Sequence, residues 1–325
     1  MHRTRLYRDG TCHQENFDPA QISDHLEAND GSIVWLDLEE PTDADFALLA
    51  DEFKLNPLAV EDATTERQRP KLDHYDDHVF MSLYDVAVNP GNRRLRLHEL
   101  AVFAAPSYLI TVRKTPGYSM DEVVKRWDDN HELAKHGVGF LLWGLLDVVV
   151  DRHFDTVQSL DDDLESLEDL LFEPGDPDIA VQRRSYTLRK DLVLVRRVVL
   201  PTREILNALM RRESHLVDDA MIPYYQDVYD HVLRAADSVD SLRDLVSSIL
   251  ETALTIQGNR MNLIMKAVTS WAAIAAVPAI ITGYYGMNVR IFPAAGTLAG
   301  GISALVLMAV IVAALYVAFK RRDWL

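Results

Sequence analysis

The sequence predicts an α+β domain followed by long helices and two transmembrane helices. Three observations support this fold class. Short runs rich in β-branched residues are confined to the first third of the chain, apolar residues then recur at steps of three and four, and two long uncharged runs lie near the end. The mean hydropathy of the 325 residues is close to zero, because many charged residues offset the two apolar runs.

Residues 1–116 are predicted to form the α+β domain. Four short runs are typical of strands: SIVWLDL, HVFMSLYDVAV, RLHELAVFAA and SYLITVRKT. The segment PTDADFALLADEFKL predicts a helix that begins at Pro41 and Thr42, since both residue types are favoured at helix starts. A small sheet with accompanying helices is therefore expected.

Residues 117–222 are predicted to be almost wholly helical. An apolar stripe at steps of three and four indicates one helix that ends at Glu173–Gly175. The stripe consists of Val157, Leu160, Leu164, Leu167 and Leu171. A second helix is expected to begin near Pro177 and to kink at Pro201.

Residues 223–285 predict a single long helix. Pro223 suits its first turn, and no stop signal follows before Gly283 and Gly286. At 1.5 Å per residue such a helix extends roughly 90 Å. It would therefore leave the cytoplasmic body and continue into a membrane without a break.

Two uncharged runs predict the membrane spans. Residues 267–289 and 291–319 contain no charged side chain, and about 20 apolar residues cross a bilayer as a helix. We expect the first span at about 265–285, an extracytoplasmic loop at 286–296 and the second span at 297–319. Residues 320–325 form a basic tail.

Charge is divided unevenly along the chain. Residues 1–258 hold 49 of the 50 acidic and 27 of the 33 basic residues, a balance of −22, whereas residues 259–325 have a balance of +5. Bases flank the spans on one side, and cytoplasmic flanks are the ones rich in Lys and Arg. These bases are Arg260, Lys266, Lys320, Arg321 and Arg322. We expect both termini to be cytoplasmic in a multi-pass protein of the cell (inner) membrane.

The N-terminal residues and the single cysteine agree with a cytoplasmic body. The first residues, MHRTRLYRDGTCHQ, lack the apolar core of a signal peptide. Cys12 is the one cysteine of the sequence, so no intrachain disulfide can form.

One face of the first predicted span is small or polar throughout. Reading back from Gly286 at steps of three and four gives Gly283, Ala279, Ala276, Ala272, Thr269, Met265 and Asn262. Small residues let membrane helices pack closely, and the same explanation suits Gly296 and Gly300 in the second span. The alternative is that several copies surround an aqueous path, which requires closed rotational symmetry. Both interpretations stay open at this point.

Three segments carry a resemblance to a known family. Tyr285–Asn288, the sequence YGMN, precedes a short loop, a final span and the basic tail KRRDWL. Upstream lie EDATTERQRPKLDHY and PYYQDVYDHV, in the same order as in that family. On these residues the chain resembles the CorA magnesium transporters.

The resemblance implies a fold and a function. Such proteins are funnel-shaped homopentamers in which an α/β/α sandwich sits on long stalk helices, the first membrane helices line a pore and the second ones surround it. The implied function is channel-type uptake of Mg2+, with Co2+ and Ni2+ as further substrates, rather than an enzymatic reaction. Membrane lipid and divalent cations are the implied partners, and no nucleic acid is expected.

The resemblance also implies a selectivity filter at Gly286, Met287 and Asn288. We expect the Asn288 amide and the Gly286 carbonyl to contact a hydrated ion, because Mg2+ prefers oxygen ligands and loses water reluctantly. Met287 is expected to pack, since a thioether is a soft ligand. The outer loop carries Arg290 and no acid, which departs from the family pattern.

Deeper in the pore, Asn262 is expected to form a polar ring. Met265, Val268 and Ala276 are expected to form an apolar constriction that gates by dewetting. Ala276 and Ala279 are smaller than the residues common there in the family, which would move the gate towards Met265.

In the family, divalent ions between neighbouring subunits hold the channel shut. Asp227 matches one ligand position of this regulatory site. Its usual partner falls near Asn89, where an acid is expected, and Asp85 is the substitute.

Three alternative functions are also compatible with parts of the sequence. A ZntB-like zinc transporter is the alternative within the same class, although Met287 argues against it. A membrane-tethered metal-binding protein or metalloenzyme would use His74 and His78, whose segment predicts turn and strand rather than a helical zinc pair. A third alternative is a tethered coiled coil with no transport activity. The acidic run at 161–169 is more typical of a solvated helix face.

Overall fold

The structure is a computed structural model that describes residues 2–27, 31–65, 68–89, 91–172, 178–211, 216–287 and 298–325. The chain divides into two compact units, residues 1–248 and residues 249–325. The long helix predicted from Pro223 onward contributes residues to both units.

The first unit contains a mixed sheet of seven strands within the described residues. Its strands are β1 (His2–Arg8), β2 (Thr11–Glu15), β3 (Ile33–Glu39), β4 (Lys71–His74), β5 (Val79–Val88), β6 (Leu95–Ala105) and β7 (Tyr108–Arg113). They lie in the order β2-β1-β3-β7-β6-β5-β4. β3 and β7 pair in parallel, and the other neighbours pair antiparallel. The four predicted strand runs are confirmed as β3, β5, β6 and β7.

Three short helices cover one face of the sheet: α1 (Ile22–Glu27), α2 (Asp43–Glu52) and α3 (Pro57–Thr64). The predicted start of α2 is confirmed, because Thr42 and Asp45 form a capping box. The Thr42 backbone N–H donates to Asp45 Oδ2 at 2.7 Å, and the Asp45 N–H donates to Thr42 Oγ1 at 3.3 Å. The three helices share a buried core with the sheet that includes Leu36, Phe46, Leu49, Phe80 and Phe103.

The opposite face of the sheet packs on α4 (Asp121–Asp129) and α5 (Val138–Phe172). Side chains alternate between the two faces of a strand. Leu36 of β3 therefore joins the first core, while its neighbour Trp35 meets Trp127 of α4 edge-to-face at 4.9 Å. Thr156 of α5 donates to the Val86 carbonyl of β5 at 2.7 Å. Helices on both faces make the predicted α/β/α sandwich.

Helix α5 is followed by α6 (Asp178–Leu209) and α7 (Ile222–Tyr285). The predicted apolar stripe of α5 is confirmed, since all five of its residues are buried. In the first unit α7 carries a similar buried seam at steps of three and four: Tyr225, Val228, Val232, Ala235, Val239, Leu242 and Val246. Such spacing is typical of helices packed as in a coiled coil.

Polar contacts fix α7 against α5 and α6. Tyr225 donates its hydroxyl to the Gly139 carbonyl of α5 at 2.8 Å, and Arg196 of α6 pairs with Asp240 of α7 at 2.7 Å. A Cβ on Gly139 would lie 2.6 Å from the Leu216 carbonyl oxygen, so only glycine fits this approach. Pro201 lies inside α6, which continues past it.

Within the part of the chain that the structure describes, two helices are long and apolar enough to cross a membrane. They are α7, which runs unbroken for 64 residues to Tyr285, and α8 (Leu298–Lys320). The most apolar 18-residue window of α7 is 11% buried and that of α8 is 0% buried. Their apolar surface is therefore exposed, unlike that of a core helix in a soluble protein.

A buried ion pair crosses the parallel strands β3 and β7. Arg113 Nη2 lies 2.5 Å from Asp37 Oδ2, and Arg113 Nε donates to Asp37 Oδ1 at 3.1 Å. Asp37 is 1% exposed and Arg113 is 7% exposed. The hydroxyl of Thr111 also donates to Asp37 at 2.7 Å. The carboxylate is thus fully engaged by its neighbours.

We predict that Asp37→Asn destabilises the first unit by about 3–5 kcal/mol, because it removes the buried carboxylate charge that lies 2.5 Å from the Arg113 guanidinium. Urea unfolding of the detergent-solubilised protein, followed by the fluorescence of buried Trp35 and Trp127, measures the loss. The matched control is Glu39→Gln, since Glu39 meets the same guanidinium at 3.2 Å but its side chain is 28% exposed. Its expected effect is below about 1 kcal/mol. Equal losses in the two variants would contradict the assignment.

Candidate functional site

The predicted pore-lining residues lie on one exposed face of α7. All eight are exposed in the chain: Asn262, Met265, Val268, Thr269, Ala272, Ala276, Ala279 and Gly283. On the opposite side Ser270 is 0% exposed and Ile274 is 9% exposed, while Val277 and Ile281 are half-buried. Packing within the second unit therefore uses one side of α7, and the small and polar face is exposed together with bulky residues such as Trp271 and Ile280.

The same alternation of steps continues towards the start of α7. In the second unit it adds Gly258, Thr255 and Glu251, and in the first unit Ser248, Asp244, Ser241, Asp237, Arg234, Asp230 and Asp227, all of them exposed. Five of these residues are acidic and one is basic. The sequence prediction began this stripe at Asn262 and missed its continuation towards Asp227. The same spacing of three and four residues is present in that part of the sequence and could have revealed it.

Two hydroxyl side chains in the predicted span, those of Ser270 and Thr282, are satisfied by their own helix. Ser270 donates to the Lys266 carbonyl at 2.8 Å, and Thr282 donates to the Pro278 carbonyl at 2.7 Å. Because of these bonds, the two hydroxyl groups need no further hydrogen-bonding partner in a bilayer.

Helix α7 ends where the filter was predicted. The Gly286 N–H donates to the Thr282 carbonyl at 2.9 Å, and the Met287 N–H approaches the Tyr284 carbonyl at 3.4 Å. A Cβ on Gly286 would lie 3.1 Å from the Thr282 carbonyl oxygen, which is a tight contact. Met287 is 56% exposed. Asn288 lies outside the described residues, as do Arg290 and Gly296.

The predicted regulatory residues lie in different surroundings. Asp227 of α7 has a side chain that is 71% exposed, and its Oδ2 is 4.0 Å from His231 Nε2. Asn89 follows β5, is half-buried, and accepts a hydrogen bond from the Gly91 N–H at 2.9 Å. Both residues therefore reach the surface of the first unit.

Asp85, the predicted substitute for Asn89, is buried instead. Its side chain is 1% exposed and lies 3.2 Å from His98 Nδ1 and 3.4 Å from Arg152 Nη1. Arg152 also pairs with Glu122 at 2.8 Å. A carboxylate held between two groups of its own chain is poorly placed to meet an ion shared with a neighbouring subunit.

A further contact, which the sequence did not reveal, fixes the hairpin that follows Asn89. Arg93 Nη2 lies 2.7 Å from Asp163 Oδ1 of α5 and 3.2 Å from the Ser159 carbonyl. The acidic run at 161–169 is otherwise a solvated helix face with Leu164 and Leu167 turned inward, as predicted.

The histidines of the alternative metal site do not form one in the described chain. His74 ends β4 and is exposed, whereas His78 is buried and stacks on Tyr75 at 5.1 Å. Burial lowers the pKa of His78. Among the described residues no group of three or more His, Cys, Asp or Glu side chains is arranged to hold a metal ion.

Comparison with known proteins identifies the family. Residues 30–321 match the sequence profile described as "CorA-like Mg2+ transporter protein". The cobalt/magnesium transport protein CorA of Thermotoga maritima is 31% identical over 274 residues, which cover 84% of this chain and 78% of that protein. The chain belongs to the CorA family.

A solved structure and a second relative extend the comparison. The complete structure of the CorA magnesium transporter from Methanocaldococcus jannaschii matches with a TM-score of 0.79 at 23% identity, covering 100% of this chain and 99% of that one. The zinc transport protein ZntB of Yersinia enterocolitica is 24% identical over 299 residues, 90% of this chain and 88% of that protein.

These matches confirm the predicted fold class: an α+β domain, a long stalk helix and a C-terminal helix on the CorA plan. They also confirm the class of function. The chain is a divalent cation transporter of the membrane-embedded CorA family.

Proposed function

We propose that this chain forms a homopentameric channel in the cell (inner) membrane that carries Mg2+ inward down its electrochemical gradient. Co2+ and Ni2+ are proposed as further substrates. The observation that carries the proposal is the exposed face of α7 in the second unit, on which small and polar residues recur at steps of three and four.

The polar side chains on that face need hydrogen-bonding partners in a bilayer. Asn262 and Thr269 are exposed on the isolated chain, and polar groups left without partners in hydrocarbon cost several kcal/mol each. Two helices cannot enclose a pore, so several copies must turn these faces towards a common axis. A sustained 3.5-residue repeat favours a left-handed supercoil of the α7 copies.

At the outer end of this path, Asn288 and the Gly286 carbonyl are proposed as the filter. Five amides would accept hydrogen bonds from the waters of a hydrated ion, which selects on size and charge density without stripping the shell. Neutral ligands also release the ion more readily than a ring of carboxylates. Met287 is proposed to brace this ring, because its thioether suits packing rather than coordination.

Farther in, Met265, Val268 and Ala276 are proposed as the gate, with Asn262 as a polar ring beyond it. Met265 is 62% exposed and Val268 63% exposed on the outward side of α7. Five copies of these apolar side chains around a narrow axis would exclude water when the helices approach. Small tilts of α7 would then open or close the path.

Membrane potential is the proposed driving force. It contributes ~2.3 kcal/mol per charge per 100 mV, or about twice that for a divalent ion. The cytoplasmic orientation of both termini is proposed from Arg260, Lys266 and the basic tail. We also propose the functional division of the chain into residues 1–116, 117–222, 223–285, 286–296, 297–319 and 320–325.

The first unit is proposed to sense internal Mg2+ through Asp227 and Asn89. Both are at the surface, whereas Asp85 is engaged by His98 and Arg152. Because Asn89 offers a carbonyl oxygen and Asp227 a carboxylate, an ion bridging two subunits would meet oxygen ligands of the kind that Mg2+ accepts. The Arg93 contact with α5 would hold the hairpin of Asn89 in place for the neighbouring subunit.

Zinc transport is the second candidate, favoured by the similarity to a ZntB protein. Competition between Mg2+, Co2+, Ni2+ and Zn2+ in a flux assay distinguishes the two. A membrane-tethered metal-binding protein would show no flux with any of these ions.

We predict that Asn288→Ala lowers Mg2+ flux into proteoliposomes at least tenfold, because five filter amides are lost together. Fluorescence of an entrapped Mg2+ indicator measures the rate. The matched control is Asn259→Ala, an exposed asparagine of α7 that lies off the stripe and should leave the flux unchanged. Undiminished flux in Asn288→Ala would remove the filter assignment.

We predict that Asp227→Asn raises the Mg2+ concentration needed to protect the protein from limited proteolysis by about tenfold, or ~1.4 kcal/mol. The lost carboxylate weakens the ion that bridges subunits. Asp244→Asn serves as the control, because Asp244 is an exposed acid on the same face of α7. If both variants raise the protecting Mg2+ concentration equally, the effect comes from the loss of any one negative charge on α7 rather than from a site at Asp227.

A further inference from the structure

The residues after α8 fold into a defined turn. The Trp324 N–H donates to the Phe319 carbonyl at 3.0 Å, and the Asp323 N–H donates to the Lys320 carbonyl at 3.3 Å. Asp323 has φ 53°, in the left-handed region. These are the two hydrogen bonds and the backbone conformation of a Schellman motif, which satisfies the last carbonyls of a helix.

An aromatic contact completes this turn. The ring of Trp324 stacks on that of Phe319 with centroids 5.6 Å apart and planes 12° apart. A Schellman motif is commonly accompanied by such an apolar contact between the residue after the turn and the last helical turn. Trp324 is thereby folded back along α8, although the sequence alone predicts only a basic tail.

The turn presents three consecutive cations. Lys320, Arg321 and Arg322 are exposed, and Lys320 Nζ lies 5.8 Å from the ring centre of Tyr316. Within the described residues none of the three has a carboxylate within ion-pair distance, whereas cations of the first unit such as Arg113, Arg152 and Arg196 are paired. Their positive charge is therefore available to a partner.

The position of the turn indicates the class of that partner. It follows a helix whose apolar window is 0% buried. Tyr and Trp are enriched at the level of the headgroups, where an apolar ring face and a polar edge are both accommodated. Arginine binds phosphate in a bidentate manner, so paired arginines beside an interfacial tryptophan match a lipid phosphate.

We propose that residues 320–324, the capped turn, bind the phosphate headgroup of an anionic glycerophospholipid in the leaflet next to the end of α8. Arg321 and Arg322 contact the phosphate, Trp324 lies at the headgroup boundary, and the left-handed Asp323 fixes their relative positions. This inference rests on the proposed insertion of α8 in a membrane. It concerns lipid selectivity, which is independent of ion flux.

The test is lipid retention by the full-length protein. Protein reconstituted in phosphatidylcholine containing phosphatidylglycerol is released into the gas phase, and native mass spectrometry gives the ratio of the two lipids bound per subunit. The wild type should retain phosphatidylglycerol preferentially. Arg321→Gln and Arg322→Gln should each lower the preference about fivefold, since a basic residue near an anionic leaflet contributes ~1 kcal/mol.

Variants of Asp323 test the turn itself. Asp323→Gly keeps the left-handed conformation and should retain the preference, whereas Asp323→Val, a β-branched residue at positive φ, should weaken it. Lys125→Gln is the matched single-charge control, because Lys125 is exposed on α4 in the first unit. It should leave the lipid ratio unchanged.

Several results would overturn the proposal. The first is a lipid ratio that is unchanged in both Arg321→Gln and Arg322→Gln. The second is a decrease in Lys125→Gln as large as that in the arginine variants. The third is displacement of the lipid by excess inorganic phosphate. A change in subunit number without a change in lipid ratio would instead indicate contact with another copy of the chain. Asn288→Ala should keep the lipid preference while losing flux, so failure of the channel assignment and failure of the lipid site are separable.

Discussion

Polar side chains exposed on the apolar length of α7 impose the strongest physical requirement on this chain. A helix that crosses a bilayer must pair its polar groups, because hydrocarbon supplies no hydrogen bonds. Asn262 and Thr269 lie on the exposed side of α7, while Ser270 and Ile274 are taken up by packing within the second unit. In the proposed homopentamer these polar groups would meet other copies of α7, and a path between those copies would suit a hydrated cation.

In the first unit α7 has a buried side and an exposed side. In the first unit the buried seam of α7 packs with α5 and α6, and polar contacts such as Tyr225 to Gly139 fix its position. Its exposed side there carries Asp227 and four further stripe residues before Asp244. Asp227 and Met265 belong to one helix, since α7 runs unbroken from Ile222 to Tyr285.

Features that depend on local periodicity could be predicted from the sequence. The stripe of α5, the capped start of α2 and the uninterrupted course of α7 follow from spacing and cap residues alone. Contacts between distant segments could not be predicted in this way. The pairing of Asp37 with Arg113 depends on the parallel register of β3 and β7, and the buried Asp85 contacts Arg152, which lies 67 positions away in the sequence. For the same reason the burial of Asp85, the predicted substitute for Asn89, could not be foreseen from the sequence.

The proposal that the α7 stripe lines an aqueous path is tested most directly by measuring whether this stripe faces water in the membrane protein. In a Cys12→Ser background, Ala276→Cys on the stripe and Ala273→Cys on the half-buried side are exposed to a small cationic thiol reagent after Mg2+ is removed with EDTA. A stripe that faces water should give rapid modification at position 276 with loss of Mg2+ flux, and slow modification at position 273. Equal and slow modification of both cysteines in a protein that still conducts Mg2+ would contradict it.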